Sequence, residues 1–100
     1  GVAFYYMYMT TQQVKLDPLT RALNRRYFYL DADRLMKSKC LTAVISIDLN
    51  DLKRFNDENG HAAGDTALCT IVACIQNILP RGCHLYRTGG DEFMILCSKR

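Results

Sequence analysis

The sequence predicts an α/β fold in which helices cover a β-sheet. Residues 43–49 form a mostly apolar, β-branched run that is typical of a buried strand. Apolar residues at helical spacing lie on both sides of this run in the sequence. Near the end of the chain, Gly89-Gly90 stands between two apolar runs and predicts a β-hairpin. The order helix, strand, helix, hairpin therefore predicts a layered α/β domain, with residues 43–49 as its central strand.

The first elements follow a change in composition. Residues 1–14 are rich in Tyr, Met and Gln and carry no acid, so we interpret them as the end of an upstream linker or of a membrane or signalling helix. Residues 15–100 are then the domain itself. Asp17-Pro18 predicts a turn or a helix start, and Asn24 is suited to cap the helix that follows. That helix carries its apolar residues at helical spacing and ends at residues 37–39: Phe28, Ala32, Leu35, Met36.

The middle of the chain is predicted as strand, loop and helix. Residues 56–65 are polar and contain Gly60 and Gly64, so this segment is predicted to include a loop. Asp65 or Thr66 is expected to cap the next helix, and Pro80 to stop it. Its apolar stripe comprises Ala67, Leu68, Ile71, Val72, Ile75, Ile78 and Leu79.

The hairpin is predicted to have a two-residue turn at Gly89-Gly90. Glycine suits such a turn because it adopts positive φ without strain, and because it lets a ligand approach the backbone. Asp91 and Glu92 follow at once, and carboxylates at a hairpin tip suit a cation or a metal-bound phosphate. The pentapeptide 89–93 alone is weak evidence, because Gly-Gly hairpins with nearby acids are common.

Composition excludes several classes of protein. The formal charge of +3 is small and scattered, so nucleic acid is not expected as a partner. The five cysteines contain no CxxC pair, which argues against zinc and favours a reducing, cytosolic location. No segment has the roughly 20 apolar residues of a membrane-spanning helix. The apolar residues 2–9 fit either the tail of a membrane helix or a linker helix that packs on a partner.

Two carboxylates are candidates for a metal site. Asp48 lies near the carboxyl end of the predicted strand, where ligands of open α/β sheets tend to bind, and Asp91 lies at the hairpin tip. If the hairpin pairs beside the strand, the two side chains converge. Two carboxylates, a backbone carbonyl and substrate phosphates make a typical Mg²⁺ environment. The alternatives are a strand-end capping acid for Asp48 and a solvated turn acid for Asp91.

Further polar residues follow the strand. Asp65 can accept hydrogen bonds from a guanine edge, and Asn56 can offer a donor and an acceptor to a base, although both residue types are also common in loops and caps. His61 fits a base, a phosphate ligand or a loop brace. Lys53 and Arg54 could face phosphates or simply be solvated.

Taken together, these motifs resemble those of the GGDEF family, the diguanylate cyclases. The opening motif is Asp17-Pro18-Leu19-Thr20 with Leu23-Asn24-Arg25-Arg26. The central block runs from Asp48 to Lys53 and continues with Asn56-Asp57, Gly60-His61 and Gly64-Asp65. The signature is Arg87-Thr88 with residues 89–93. The motifs stand in the family's order, from about Lys15 to the chain end.

The resemblance implies a palm-like nucleotide-cyclase fold, incomplete at the C-terminus, and a reaction that condenses two GTP molecules to cyclic di-GMP. It implies Mg²⁺, with Mn²⁺ as an alternative, held by Asp48, the Leu49 carbonyl and Asp91. Asn56, His61 and Asp65 would contact GTP, and Gly89 and Gly90 would leave room for it. Lys53 would stabilise transition-state charge. Asp91 would accept the proton of the attacking hydroxyl, with Glu92 in support.

The resemblance also implies partners and a location. Each domain would hold one GTP, so catalysis requires a homodimer, and an upstream sensor domain is expected. The location implied is the bacterial cytoplasm or the cytoplasmic side of the inner membrane. Asn50 stands where the family most often has a second Asp, which favours as the alternative an inactive module that binds GTP and regulates a fused partner. We expect the 100-residue chain by itself to be inactive.

Overall fold

The computed structural model describes residues 14–99, which form a mixed sheet with helices on both faces. The predicted upstream element at residues 1–14 lies outside the described residues, except for Val14. The strands are β1 (Leu23–Asn24), β2 (Leu41–Asp48), β3 (Cys83–Arg87) and β4 (Glu92–Ser98). The helices are α1 (Arg25–Lys37), α2 (Leu52–Asn59) and α3 (His61–Ile78). The α/β class predicted from the sequence is therefore confirmed.

The sheet has the strand order β1-β3-β4-β2. β1 runs parallel to β3, whereas β3 and β2 both pair antiparallel with β4. Within residues 14–99, β2 has only β4 as a neighbour and lies at the edge of these four strands, whereas the sequence predicts a buried central strand. Val44 is 51% exposed and Ile45 is 45% exposed. An apolar, β-branched run indicates a strand, but it does not indicate how many neighbours the strand has.

The two faces of the hairpin β3–β4 build two separate cores. Side chains alternate across a strand, so Leu85 and Phe93 face α3, where they pack with Leu68 and Val72. Tyr86 points to the other face, where it packs with Leu35 of α1 and Leu96 of β4. The Tyr86 hydroxyl donates to Asp31 Oδ2 at 2.7 Å, which satisfies a polar atom of a side chain that is fully buried.

Helix α1 begins and ends where the sequence predicts. The Asn24 side chain accepts a hydrogen bond from the Tyr27 backbone N–H at 3.0 Å, as expected of an N-cap residue. The helix ends at Lys37, and Lys39 has a φ of 59°, which turns the chain toward β2.

The segment predicted to include a loop, residues 56–65, is helical except at Gly60. α2 ends at Asn59, and α3 starts at His61 immediately after Gly60, whose φ of 89° breaks the helical path. Asp65 and Thr66 therefore lie inside α3, so the prediction that one of them caps it is wrong. The polarity of this segment reflects an exposed helical surface. α3 stops at Ile78, before Pro80 as predicted, but Ile78 itself is 80% exposed and leaves the expected apolar stripe.

No helix within residues 14–99 combines the length and the apolar character that crossing a bilayer requires.

Candidate active site

A cleft of about 480 Å³ opens between the helix pair α2–α3 and the turn that joins β3 to β4. It brings together many of the residues that the sequence predicts to be functional. Its lining consists of Leu52, Lys53, Asn56, Asp57, His61, Asp65, Leu68, Arg87, Gly90 and Asp91. Of the other predicted site residues, Asp48, Leu49, Gly89 and Glu92 lie outside this lining.

Helical periodicity explains why the two helices supply so many of these side chains. Residues four positions apart share a face, so His61 and Asp65 at the start of α3 point the same way. Lys53 and Asn56 are three positions apart and share a face of α2. The chain reversal at Gly60 brings the two polar faces to one cleft.

Asn56 has an unusual environment at the edge of this cleft. Its Oδ1 atom is buried and is the one buried side-chain N or O atom in residues 14–99 without a hydrogen-bond partner. An unpaired buried acceptor costs roughly 1–3 kcal/mol. Because this atom lies against Gly64, a ligand N–H would satisfy it only after the Asn56 side chain turns toward the cleft.

Gly64 creates the space that Asn56 occupies. A Cβ at position 64 would overlap Asn56 Oδ1 and would lie 2.6 Å from its Cγ. Gly64 is a buried residue of α3, one turn after the helix start, and lies against the Asn56 amide. From the sequence, Gly64 is interpreted as part of a segment that includes a loop, and no signal there predicts its contact with Asn56.

The signature turn has four residues between the strands, Thr88 to Asp91, and not the two that the sequence predicted. The Thr88 and Gly89 N–H groups both donate to the Glu92 carbonyl, at 3.0 and 3.2 Å. Neither Gly89 nor Gly90 has positive φ; the described glycines with positive φ are Gly60 and Gly82. The expected conformational reason for the two glycines is therefore wrong.

The open space beside the backbone is a better explanation of why a glycine stands at position 90. A Cβ built there would meet no atom within 4 Å, which places this residue against the open cleft. At Gly89, a Cβ would lie 3.3 Å from the Glu92 Cβ, so a side chain there would crowd the turn.

Arg87 holds the turn in place. Its Nε donates to the Gly89 carbonyl at 3.2 Å, and its Nη2 donates to the Gly90 carbonyl at 2.8 Å. Its Nη1 donates to Asp17 Oδ2 at 3.0 Å, and both side chains are mostly buried. Arg87 thus joins the signature turn to the opening motif. From the sequence, Arg87 belongs to the signature motif, but these hydrogen bonds to the turn and to Asp17 are not predicted.

Asp17 is held as a carboxylate by these contacts. Burial acts to raise its pKa, but hydrogen bonds from the Thr20 backbone and hydroxyl and from Arg87 outweigh burial. The pKa of Asp17 therefore lies below its ordinary value of 3.8.

The predicted metal ligands lie where β2 ends beside the turn. The Leu49 N–H donates to the Asp91 carbonyl at 2.9 Å, and Asp48 is opposite Glu92 in the β2–β4 register. Asp48 and Asp91 are both exposed, so their oxygens are free to face a hydrated cation. Glu92 instead accepts a hydrogen bond from the Thr88 hydroxyl at 3.0 Å, across the turn.

These donors suit one hard cation with few protein ligands. Carboxylate and carbonyl oxygens are what Mg²⁺ prefers, and Mg²⁺ commonly takes only one or two carboxylates together with waters and phosphates. Within residues 14–99 no group of three or more His, Cys, Asp or Glu side chains is placed to hold a metal.

Comparison with known proteins gives a family match over nearly the whole chain. The family model "Diguanylate cyclase, GGDEF domain" matches residues 14–100. The diguanylate cyclase TpbB of Pseudomonas aeruginosa is 38% identical over 90 residues, which cover 86% of this chain and 21% of TpbB. The cyclic di-GMP phosphodiesterase PdeB of Shewanella oneidensis is 34% identical over 89 residues, which cover 88% of this chain and 10% of PdeB. The chain thus spans well under a third of the length of these relatives.

Solved structures agree with the family match. A sensory box/GGDEF family protein from Caulobacter crescentus superimposes with a TM-score of 0.73 at 35% identity, over 85% of this chain and 57% of that chain.

Proposed function

The chain belongs to the GGDEF domain family, and from this membership we propose that the protein is a diguanylate cyclase, which condenses two GTP molecules to cyclic di-GMP and two pyrophosphates. The observation that carries the proposal is the buried, unpaired Asn56 Oδ1 at a cleft that also contains Asp65 and Asp91. A volume of about 480 Å³ fits one nucleotide.

The helix pair would bind the base of GTP. A guanine N–H would satisfy Asn56 Oδ1, and the Asp65 carboxylate would accept from the guanine N1–H and its exocyclic amine. Adenine lacks the N1–H, so this pair of acceptors would select guanine over adenine. His61 shares a helical face with Asp65 and would contact the same nucleotide.

The turn would carry the phosphates. Gly90 leaves the backbone open to the cleft, and the cationic Lys53 would neutralise charge that builds up on the phosphoryl group. Asp48, the Leu49 carbonyl and Asp91 would hold Mg²⁺, or Mn²⁺ in its place. When bound, this ion would polarise phosphoryl oxygens and lower the pKa of the attacking hydroxyl.

The two acidic residues of the signature, Asp91 and Glu92, would carry out proton transfer. Asp91 lies in the cleft and would accept the proton of the 3′-hydroxyl as that oxygen attacks the α-phosphate of the other GTP. Glu92, held across the turn by Thr88, would support Asp91 electrostatically. Positioning and charge neutralisation are what phosphoryl transfer mainly requires.

The reaction requires two chains. Each cleft would hold one GTP, and each 3′-hydroxyl must reach the α-phosphate of the other molecule, so two domains would face each other with two-fold symmetry. We further propose an upstream sensor domain that controls this pairing, and a location in the bacterial cytoplasm or at the cytoplasmic side of the inner membrane.

A second function is an inactive GGDEF module that binds GTP and regulates a fused partner. Asn50, two residues after Asp48, removes a negative charge beside the proposed metal ligands, which favours this alternative. The similarity to a protein named as a phosphodiesterase is consistent with it.

One assay separates the two functions. The whole protein is incubated with GTP and Mg²⁺, and cyclic di-GMP is measured by mass spectrometry, in parallel with GTP binding by calorimetry. Cyclic di-GMP that disappears with Asp91→Asn supports the cyclase. Asp33→Asn on α1 is the matched control and should keep activity, because Asp33 is an exposed residue that forms an ion pair with Lys37 and lies outside the cleft. GTP binding without product supports the regulatory module, and absence of GTP binding contradicts both functions.

A further inference from the structure

A pair of cysteines faces each other across the hairpin at the end remote from the signature turn. Cys83 is the first residue of β3, and its Cα partner on β4 is Cys97. Their Sγ atoms are 2.9 Å apart and hydrogen-bonded, and both thiols are free and half-buried. The nucleotide cleft uses neither residue.

The hydrogen bonds of the hairpin show which kind of cross-strand position this pair occupies. Thr88 donates to the carbonyl of Glu92, and Ser98 donates to the carbonyl of Gly82. Hydrogen-bonded and non-hydrogen-bonded pairs alternate along an antiparallel ladder. Counting from either bond, Cys83 and Cys97 form a non-hydrogen-bonded pair.

That position has the geometry a disulfide requires. In non-hydrogen-bonded pairs the Cα atoms are about 4.5 Å apart and the side chains approach each other closely. Disulfides span Cα separations of roughly 4.4–6.8 Å. The two thiols can therefore be joined without moving either strand. We propose that Cys83 and Cys97 are a site of reversible disulfide formation, with an anionic low-molecular-weight disulfide as the oxidant.

A second cleft gives a small oxidant access to Cys83. It has a volume of about 320 Å³, and Cys83 lies in its wall together with Arg21 and His84. The Arg21 guanidinium favours an anionic reagent of the glutathione disulfide class.

The chemistry is an exchange of thiols for disulfide. The thiolate of one cysteine attacks a sulfur of glutathione disulfide, which forms a mixed disulfide and releases one glutathione thiolate. The second cysteine, after losing its proton, attacks the Sγ atom of the first cysteine in this mixed disulfide and releases the second glutathione as a thiolate. The protein dithiol loses two electrons and two protons, and glutathione disulfide becomes two glutathione thiols.

The reduced pair is a resting state. The hydrogen bond with Cys83 and then burial raise the pKa of the Cys97 thiol. A raised pKa lowers the thiolate fraction of Cys97 at neutral pH, so Cys97 reacts slowly with an oxidant there and faster as the pH rises. Disulfides in reducing compartments are mostly of this transient kind.

Mapping the oxidised protein tests the proposal. The whole protein is treated with glutathione disulfide, its remaining thiols are alkylated, and it is digested with trypsin without reduction. Trypsin places Cys83 in residues 82–87 and Cys97 in residues 88–99, whereas Cys40, Cys69 and Cys74 fall in other peptides. We expect these two peptides to be joined, and dithiothreitol to separate them. The closed loop of about 15 residues should raise the Tm by on the order of 10 °C.

Two variants control the measurement. Cys74→Ser removes an exposed thiol of α3 and should leave the cross-link intact. Cys97→Ser should abolish both the joined peptides and the rise in Tm. The proposal is overturned if wild-type Cys83 and Cys97 are alkylated or carry glutathione after oxidation, or if either is joined to Cys40, Cys69 or Cys74.

Discussion

Replacing Gly64 by alanine tests the contact that shapes the proposed guanine site. The new Cβ would overlap Asn56 Oδ1 and approach its Cγ to 2.6 Å, so the Asn56 side chain must move or α2 and α3 must separate. Overpacking of this kind costs about 1–3 kcal/mol. Alanine inside a helix is favoured over glycine by about 1 kcal/mol.

These two effects predict opposite signs in two backgrounds. In the wild-type background, Gly64→Ala should leave the free energy of unfolding unchanged or lower it by up to about 2 kcal/mol. In the Asn56→Ala background the amide is absent, so the same substitution should raise the free energy of unfolding by about 1 kcal/mol. The coupling energy of the double-mutant cycle should therefore be about 1–3 kcal/mol.

Urea denaturation of the four proteins measures this coupling, and calorimetry of GTP binding gives a functional readout. Gly64→Ala displaces the amide that is proposed to bind guanine, so GTP affinity should fall about 10-fold or more, close to the loss caused by Asn56→Ala. The reasoning is refuted if Gly64→Ala has the same effect on stability in both backgrounds.

Three further predictions concern the supports of the fold. Arg87→Met removes three hydrogen bonds of a mostly buried guanidinium and should lower the free energy of unfolding by about 2 kcal/mol. Arg54→Met is the control: this side chain is 78% exposed, and its loss should change the free energy of unfolding by less than about 0.5 kcal/mol. Equal urea midpoints for the two variants would contradict this prediction. Because the pKa of Asp17 is lowered in the folded protein, its stabilising contribution is present above its ordinary pKa of 3.8 and is lost as the pH falls through the folded pKa. The loss of stability between about pH 5 and about pH 3 should therefore be smaller in Arg87→Met than in the wild type. An unchanged loss would argue against a stabilising ion pair between Asp17 and Arg87. Tyr86→Phe removes the hydroxyl that donates to Asp31 and should cost about 1 kcal/mol by thermal or urea denaturation, so an unchanged midpoint would show that this bond adds nothing.

Features set by neighbouring residues could be predicted from the sequence. Asn24 caps α1 through a bond to Tyr27, three residues along the chain, and Pro80 stops α3 because it cannot continue a helix. The strand character of β2 follows from its β-branched residues.

Features that depend on residues distant in the sequence could not be predicted from it. Within residues 14–99, β2 pairs only with β4, and the β2 segment alone does not indicate how many neighbours the strand has. The polar residues 56–65 indicated a loop because an exposed helical surface and a loop share the same composition. The contact of Asn56 with Gly64 needs both helices and the break at Gly60 between them.

The most direct test of the proposed guanine site is a calorimetric titration of the whole protein with GTP and, separately, with ATP. We predict that GTP binds at least about 10-fold more tightly than ATP, and that Asp65→Asn removes most of this preference because the carboxylate is the proposed acceptor for the guanine N1–H. Equal affinity for the two nucleotides, or a preference that survives in Asp65→Asn, would contradict the proposed recognition of guanine by α2 and α3.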